Sequence, residues 1–266
     1  LELICGADLR ALSKAVVERG DPIPDAVAVH IACALLRALA AVQRALPGLV
    51  HRDVTPHNVL VSREGEIKLT DFGIALAMNR ARRTHPRVVK GKYGYMAPEQ
   101  LRGRDLDVRA DMFSVGVVLF EMLAGRRPWF SAETADELTA IERGEIASLL
   151  ECRPDLPPGL AAAVDRMLAL DRRDRYADCD AALRAIAHFS AGETGSLRLA
   201  SLLELAIGSE SPDAIAKVSP ADRTQTSPGP GLARAAHGPS SGAREGSDPT
   251  VRPEIEPRRP KRASSR

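Results

Sequence analysis

A short hairpin pattern with a polar residue beyond each outer end constrains this chain most. Two short runs typical of strands, 59–61 and 67–69, are joined by a turn that contains Gly65, and this pattern predicts an antiparallel β-hairpin. Because the outer ends of a hairpin lie side by side, Asn58, just before the first run, and Asp71, two residues after the second, are expected to meet. Any fold of this chain must bring these two side chains together.

Asp53 precedes Asn58 by five residues on the same predicted loop. A carboxylate in such a loop can accept the proton of a hydroxyl group, and amide and carboxylate oxygens are ligands that Mg²⁺ prefers. Phosphoryl transfer needs this combination of a base and oxygen ligands for metal. We therefore expect Asp53, Asn58 and Asp71 to be catalytic, with Asn58 and Asp71 as ligands of Mg²⁺.

Three motifs follow one another in a fixed order: His51-Arg52-Asp53, then Asp71-Phe72-Gly73, then Ala97-Pro98-Glu99. Each alone occurs by chance, but all three, with Asn58 correctly offset, resemble the protein kinase family, in particular bacterial eukaryotic-like serine/threonine kinases. The resemblance covers about residues 1–189. It implies a mainly α (α+β) catalytic C-terminal lobe with a small hairpin, ATP and Mg²⁺ as cofactors, and protein substrates with Ser or Thr hydroxyls; tyrosine acceptors are the lesser possibility.

The resemblance also implies a nucleotide site at the start of the chain. The segment 1–4 looks like the hinge between the two kinase lobes. By that resemblance, the Glu2 carbonyl and the Ile4 backbone would face adenine, Leu60 would form the floor below it, and Asp8 would lie near the ribose.

Structural and regulatory roles are implied in the same way. Asp111 matches a buried aspartate that braces the catalytic loop, and Glu99 and Arg175 match an internal ion pair of the family. Arg52 is the type of residue that pairs with a phosphorylated activation segment. Thr84 is the only Ser or Thr in the basic segment between the second and third motifs, so it is a candidate phosphosite; the alternative is an exposed loop threonine.

Two linked departures from the family pattern concern Thr55 and Lys92. Thr55 stands where serine/threonine kinases usually carry lysine, and Lys92 stands where they usually carry threonine. One hypothesis is that the two residues have exchanged roles, with the Lys92 ammonium near Asp53 and the transferring phosphate and the Thr55 hydroxyl in the threonine's place. The alternative is that Lys92 points to solvent.

Most of the remaining chain is predicted to be helical. Asp8 is expected to cap a first helix, and Asp25 a long apolar second one that ends near residue 47. The predicted helices are 9–19, 25–47, 109–124, 134–142, 159–169 and 178–189. Residues 190–208 predict one brief helix, which either docks on the lobe or a partner or stays isolated and frays. Residues 209–266 are rich in Pro, Ser, Gly and Arg, so we expect a disordered tail.

The apolar stretch 26–42 contains His30 and Arg37, and is therefore predicted to be a core helix rather than a membrane segment. The net charge is only +2 and the aromatic content is 3%, which argues against nucleic-acid binding. With no secretory signal at its start, the chain is expected to be cytoplasmic.

The sequence contains no G-x-G-x-x-G ahead of the three motifs and begins with Leu1 at the hinge-like segment. The resemblance therefore leads us to expect a truncated kinase that lacks the N-terminal, ATP-covering lobe and has negligible activity alone. The alternative is a single-lobe pseudokinase that serves as a binding scaffold. A weaker reading makes the tail a docking arm for acidic partners.

Overall fold

The computed structural model describes residues 4–20, 22–72, 93–129, 139–141 and 143–207. All of them lie in the first of two compact units, which comprises residues 1–219. The tail prediction for 209–266, and most of the predicted 134–142 helix, lie outside the described residues; residues 139–141 are helical.

Helices make up most of the described chain, as predicted. Asp8 caps the first helix by accepting a hydrogen bond from the Ala11 N–H at 2.7 Å. The second helix begins at Asp25 itself, and Pro24 occupies the cap position, so the prediction that Asp25 is the cap was wrong. The α-helices are α1 (Leu9–Glu18), α2 (Asp25–Ala45), α3 (Pro98–Leu101), α4 (Val108–Ala124), α5 (Leu149–Cys152), α6 (Pro158–Met167), α7 (Cys179–Ile186) and α8 (Gly195–Ile207).

The predicted hairpin is present and is extended by a third strand. Strands β2 (Val59–Ser62) and β3 (Ile67–Leu69) pair antiparallel, and β1 (Gly6–Asp8) pairs antiparallel with the free edge of β2. The order in the sheet is β1-β2-β3. The β1 strand was not predicted, because its three residues carry little β propensity and form a strand only by pairing with a segment over 50 residues away.

The core lies between α2, α4 and α7, which pack against one another. Helix α4 is buried on nearly all sides, including Phe113 and Phe120 at 0% exposure. Helix α2 is long and apolar enough to cross a membrane by length and composition. Its apolar residues, such as Ile31 and Leu35, are instead fully buried in this core, as the sequence predicted.

Helix α8 packs on α1 and α2. Leu199 and Leu203 are 0% and 5% exposed, so this helix is docked on the rest of the unit rather than isolated. The approach is close, since a Cβ atom on Gly65 in the hairpin turn would lie only 1.9 Å from the Ser196 carbonyl oxygen at the start of α8. Only glycine fits there, and its φ of +80° also favours glycine.

Candidate active site

Asp53 and Asn58 are hydrogen-bonded to each other within one loop. Residues 51–55 are irregular, and a 3-10 turn, Pro56–Asn58, leads directly into β2. The side-chain nitrogen of Asn58 donates to the Asp53 carboxylate at 2.9 Å and to the Asp53 carbonyl at 2.7 Å. With both N–H groups directed to Asp53, the amide oxygen is the atom of Asn58 that remains to meet a cation.

The hairpin brings the third predicted residue to the same place. Thr70, which follows β3, donates to the Asn58 carbonyl from its backbone N–H at 2.9 Å and from its hydroxyl at 3.2 Å. Asp71 is the next residue, and it is exposed, with a φ of 59° in the left-handed region. The outer ends of the two strands therefore meet as the sequence predicted, and Asp71 emerges beside the Asn58 end of the loop.

His51 ties the loop to the strand end, a role that the sequence did not reveal. Its Nε2 lies 3.0 Å from the Thr70 carbonyl, and the Asp53 N–H donates to its Nδ1 at 3.3 Å. Because Nδ1 accepts, the proton is on Nε2 and is donated to Thr70. Burial lowers the pKa of His51, against the opposing influence of the Thr70 carbonyl and the Asp53 and Asp71 carboxylates. The ring is therefore neutral and links the backbone of Asp53 to the end of β3 that precedes Asp71.

Asp111, on the buried helix α4, holds the backbone of the loop. Its two carboxylate oxygens accept hydrogen bonds from the N–H groups of His51 at 2.7 Å and Arg52 at 2.8 Å. Burial raises the pKa of Asp111 to about 6, although these two N–H groups favour the charged form. The Gln100 side chain donates to the Arg52 carbonyl at 2.8 Å, so Arg52 is fixed on both sides of its Cα despite a φ of 68°.

Glu99 and Arg175 form the internal ion pair that the sequence suggested. The two bonds measure 2.6 and 2.9 Å, and the side chains are 7% and 0% exposed. Arg175 also donates to the carbonyls of Ala169, Leu170 and Arg109. These contacts join α3, which carries Glu99, to α4 and to the segment between α6 and α7. The pair is buried, so solvent screens its charges little.

The predicted adenine and ribose positions share one face of the sheet. Asp8 and Leu60 are directly paired across β1 and β2, so their side chains point to the same side. Leu60 and Ile4 are half-buried, whereas Val59 and Val61 on the other face are fully buried in the core. Glu2 lies outside the described residues.

The model of the protein kinase domain family matches residues 1–188 of this chain. The chain belongs to the protein kinase family. It is 40% identical over 165 residues to the tyrosine-protein kinase MasK of Myxococcus xanthus, 39% over 180 residues to the serine/threonine-protein kinase PknL of Mycobacterium tuberculosis, and 33% over 175 residues to a probable serine/threonine-protein kinase PknB of Lactococcus lactis. These matches cover 61%, 67% and 65% of this chain, but only 26%, 43% and 27% of those relatives.

Of the two departures from the kinase pattern, only Thr55 lies among the described residues. Thr55 is 2% exposed, and its hydroxyl finds no hydrogen-bond partner among the residues that the structure describes. Lys92 and Thr84 lie outside those residues, as does Gly73 of the second motif. Thr55 is thus a buried polar group within the kinase motif, two residues from Asp53. Lys92, the residue with which it is predicted to have exchanged roles, is not among the described residues.

Proposed function

We propose that the natural protein that contains these residues transfers the γ-phosphate of ATP to Ser or Thr hydroxyl groups of protein substrates. The observation that carries the proposal is the hydrogen bond from Asn58 to the Asp53 carboxylate, in a loop whose backbone is fixed by buried Asp111. Asp53 is the base: it accepts the hydroxyl proton as the acceptor oxygen bonds to phosphorus and the bond to the ADP oxygen breaks.

The oxygen donors available beside Asp53 suit Mg²⁺. Asn58 and Asp71 would hold the ion, because one offers a neutral amide oxygen and the other an exposed carboxylate at the end of the same hairpin. When bound, Mg²⁺ neutralises charge on the triphosphate. Two residues of the chain position the base. Asn58 orients the Asp53 carboxylate, and His51 links the Asp53 backbone to the strand end that carries Asp71.

The nucleotide would lie on the open face of the sheet. The pairing of Asp8 with Leu60 supports a base stacked on Leu60 with its ribose toward Asp8, and the Glu2 and Ile4 backbone at the adenine edge. One carboxylate oxygen of Asp8 already caps α1, so the other remains for a ribose hydroxyl.

The Thr55 hydroxyl is buried and has no hydrogen-bond partner among the described residues, which supports an exchange of roles with Lys92. In this proposal the Lys92 ammonium lies near Asp53 and the transferring phosphate, with the Thr55 hydroxyl as its hydrogen-bond partner. Lys92→Ala should lower kcat while Lys90→Ala, two residues earlier, should not. Equal activity of the two variants would contradict the exchange.

Regulation through Thr84 is part of the same proposal. A phosphate on Thr84 would attract Arg52, which adjoins Asp53 and is held in place by Asp111. Loss of phosphate-dependent activation in Thr84→Ala, with Arg52→Lys behaving in the same way, is the expected result.

The decisive experiment measures phosphate transfer from Mg²⁺–ATP to Ser, Thr and Tyr peptides by the natural protein that contains these residues. Asp53→Asn should reduce kcat by about 10²–10⁴-fold, the usual contribution of a general base. Asp180→Asn, a surface aspartate on α7, is the control and should leave kcat unchanged. If the wild type binds no Mg²⁺–ATP and transfers no phosphate, the single-lobe scaffold, which the unusual Thr55 favours, replaces the enzyme.

A further inference from the structure

Helix α8 lies beyond residue 188, the last residue that the kinase family model matches, yet it is firmly built into the same unit. The backbone N–H of Ala191, just before the helix, donates to the Ala26 carbonyl of α2 at 3.0 Å. The helix then packs on α1 and α2, with Leu199 and Leu203 at 0% and 5% exposure. A helix packed in this way has a fixed position, so it also restrains the elements that it touches.

The first of these elements is α1, which follows directly after Asp8. Asp8 is the last residue of β1, and its carboxylate caps α1 by accepting from the Ala11 N–H at 2.7 Å. The position of the Asp8 side chain therefore follows the position of α1. By packing on α1, helix α8 restrains the residue that is proposed to lie near the ribose.

The second element is the turn between β2 and β3. Gly65 in this turn lies so close to the start of α8 that a Cβ atom on it would be 1.9 Å from the Ser196 carbonyl oxygen. In the same turn, the Arg63 N–H donates to the Cys5 carbonyl at 2.9 Å. Cys5 directly follows Ile4, whose backbone is proposed to face adenine. Through the turn, helix α8 therefore also restrains the segment at the adenine edge.

We propose that helix α8 braces the nucleotide site, with Leu199 as a positioning residue for Asp8 and Ile4. This inference rests on the proposed function, which places the nucleotide on the sheet face that carries Asp8 and Leu60. With α8 docked, β1 is held next to both of its ends, at Cys5 by the turn and at Asp8 by α1. With α8 released, binding of the nucleotide must itself order these residues, so the affinity for the nucleotide falls.

The effect of α8 is on nucleotide affinity rather than on the chemical step. Asp53 and Asn58 are bonded to each other, and the backbone of their loop is held by Asp111 on α4. None of these three bonds involves α8. Release of α8 should therefore raise the KM for ATP and leave kcat at saturating ATP nearly unchanged. By linkage, bound nucleotide should in turn stabilise the docking of α8.

The test compares two leucine-to-aspartate substitutions on the same helix, in the natural protein that contains these residues. A carboxylate cannot stay at the fully buried Leu199 position, so Leu199→Asp should release α8, whereas Leu205, at 64% exposure, can carry a carboxylate in solvent. We expect Leu199→Asp to raise the KM for Mg²⁺–ATP by about fivefold or more, with kcat within about twofold of the wild type. Leu205→Asp and the conservative Leu199→Met should leave both constants within about twofold of the wild type.

Hydrogen exchange of the unsubstituted protein is a second measurement, which does not require any variant to fold. Bound Mg²⁺–ADP should slow the exchange of the α8 backbone amides by about threefold or more. Exchange of α8 that is the same with and without Mg²⁺–ADP would overturn the inference. An active Leu199→Asp protein with the same KM as Leu205→Asp would also overturn it, while the proposed function would stand. A wild type that neither binds Mg²⁺–ATP nor transfers phosphate would instead overturn the proposed function, and this inference with it.

Discussion

Asp111→Asn is the substitution that best tests how the loop is held. Asp111 is 2% exposed and accepts two backbone N–H groups, from His51 and Arg52. The asparagine amide has the same shape but only one accepting oxygen, so one N–H would face an NH₂ group. That mismatch costs about 1–3 kcal/mol of unfolding free energy, and the cost does not change with pH.

The pH dependence carries the sharper prediction. Burial raises the pKa of Asp111 to about 6 in the folded chain, from an ordinary value of 3.8. A carboxyl with a raised pKa contributes stability that is fully present below its unfolded pKa and is lost as pH rises through its folded pKa. This difference of about two in the pKa of Asp111 corresponds to about 3 kcal/mol of unfolding free energy over the whole titration. Most of this difference is crossed between pH 4 and pH 7, so the stability of the wild type relative to Asp111→Asn should fall by about 2–3 kcal/mol over that window.

The measurement is urea unfolding of both proteins at several pH values across this window. Burial lowers the pKa of His30 and His51, so their contributions are lost as pH falls and oppose that of Asp111. Subtraction of the two proteins removes these histidine contributions, because both are present in each. A difference that stays constant within about 1 kcal/mol from pH 4 to pH 7 would show that the Asp111 carboxylate is not penalised by burial.

Three further predictions concern stability. Arg175→Met leaves the Glu99 carboxylate buried and unpaired, and should lower the unfolding free energy in urea by about 3–5 kcal/mol. The added change Glu99→Leu should restore much of that loss. A loss below about 1 kcal/mol would contradict a buried pair. Leu199→Ala should lower the unfolding free energy by about 2–5 kcal/mol, whereas Leu205→Ala, at an exposed position of the same helix, should change it by no more than about 0.5 kcal/mol. Similar values for both variants would mean that α8 is not docked as described. Gly65→Ala should displace the start of α8 and raise the hydrogen-exchange rates of its amides, and unchanged rates would rule out the close approach of the hairpin turn.

Local patterns in the sequence were sufficient for much of the fold. The hairpin turn was recognisable from Gly65, a residue type that tolerates the φ of +80° found there. Helix α1 was recognisable from its Asp8 cap and the spacing of its apolar residues. Strand β1 was not, because its strand character comes from pairing with β2. The docking of α8 was one of two alternatives, since leucines at helical spacing do not reveal which surface they cover.

The sequence suggested the chemistry of the candidate site and, through the family resemblance, the role of Asp111, but it did not reveal the other contacts that hold the loop. Asp53, Asn58 and Asp71 stand out because their residue types and spacing suit a base and two metal ligands. His51 offered only a histidine beside the motif, with nothing to indicate its bond to Thr70 across the hairpin. The bond from Gln100 to the Arg52 carbonyl joins residues 48 apart, and no local pattern predicts such a contact.

The backbone conformations of Arg52 and Asp71 show why the contacts that hold the loop matter as much as the side chains of Asp53 and Asp71 themselves. Both are non-glycine residues in the left-handed region, with φ values of 68° and 59°, a conformation that costs about 1–2 kcal/mol each. One lies just before Asp53, and the other is itself one of the three residues. Their own backbone preferences would turn the chain elsewhere, so tertiary bonds must hold them.

Those bonds come from outside the two residues. Asp111 and Gln100 hold Arg52 on either side, while Thr70, bonded to Asn58 and to His51, holds the chain just before Asp71. The backbone that carries each carboxylate is therefore held by groups on α3, α4 and the hairpin, in addition to the bond from Asn58 to Asp53 within the loop. It follows that removing one of these bonds should release the strained backbone and move the carboxylates before the domain as a whole unfolds.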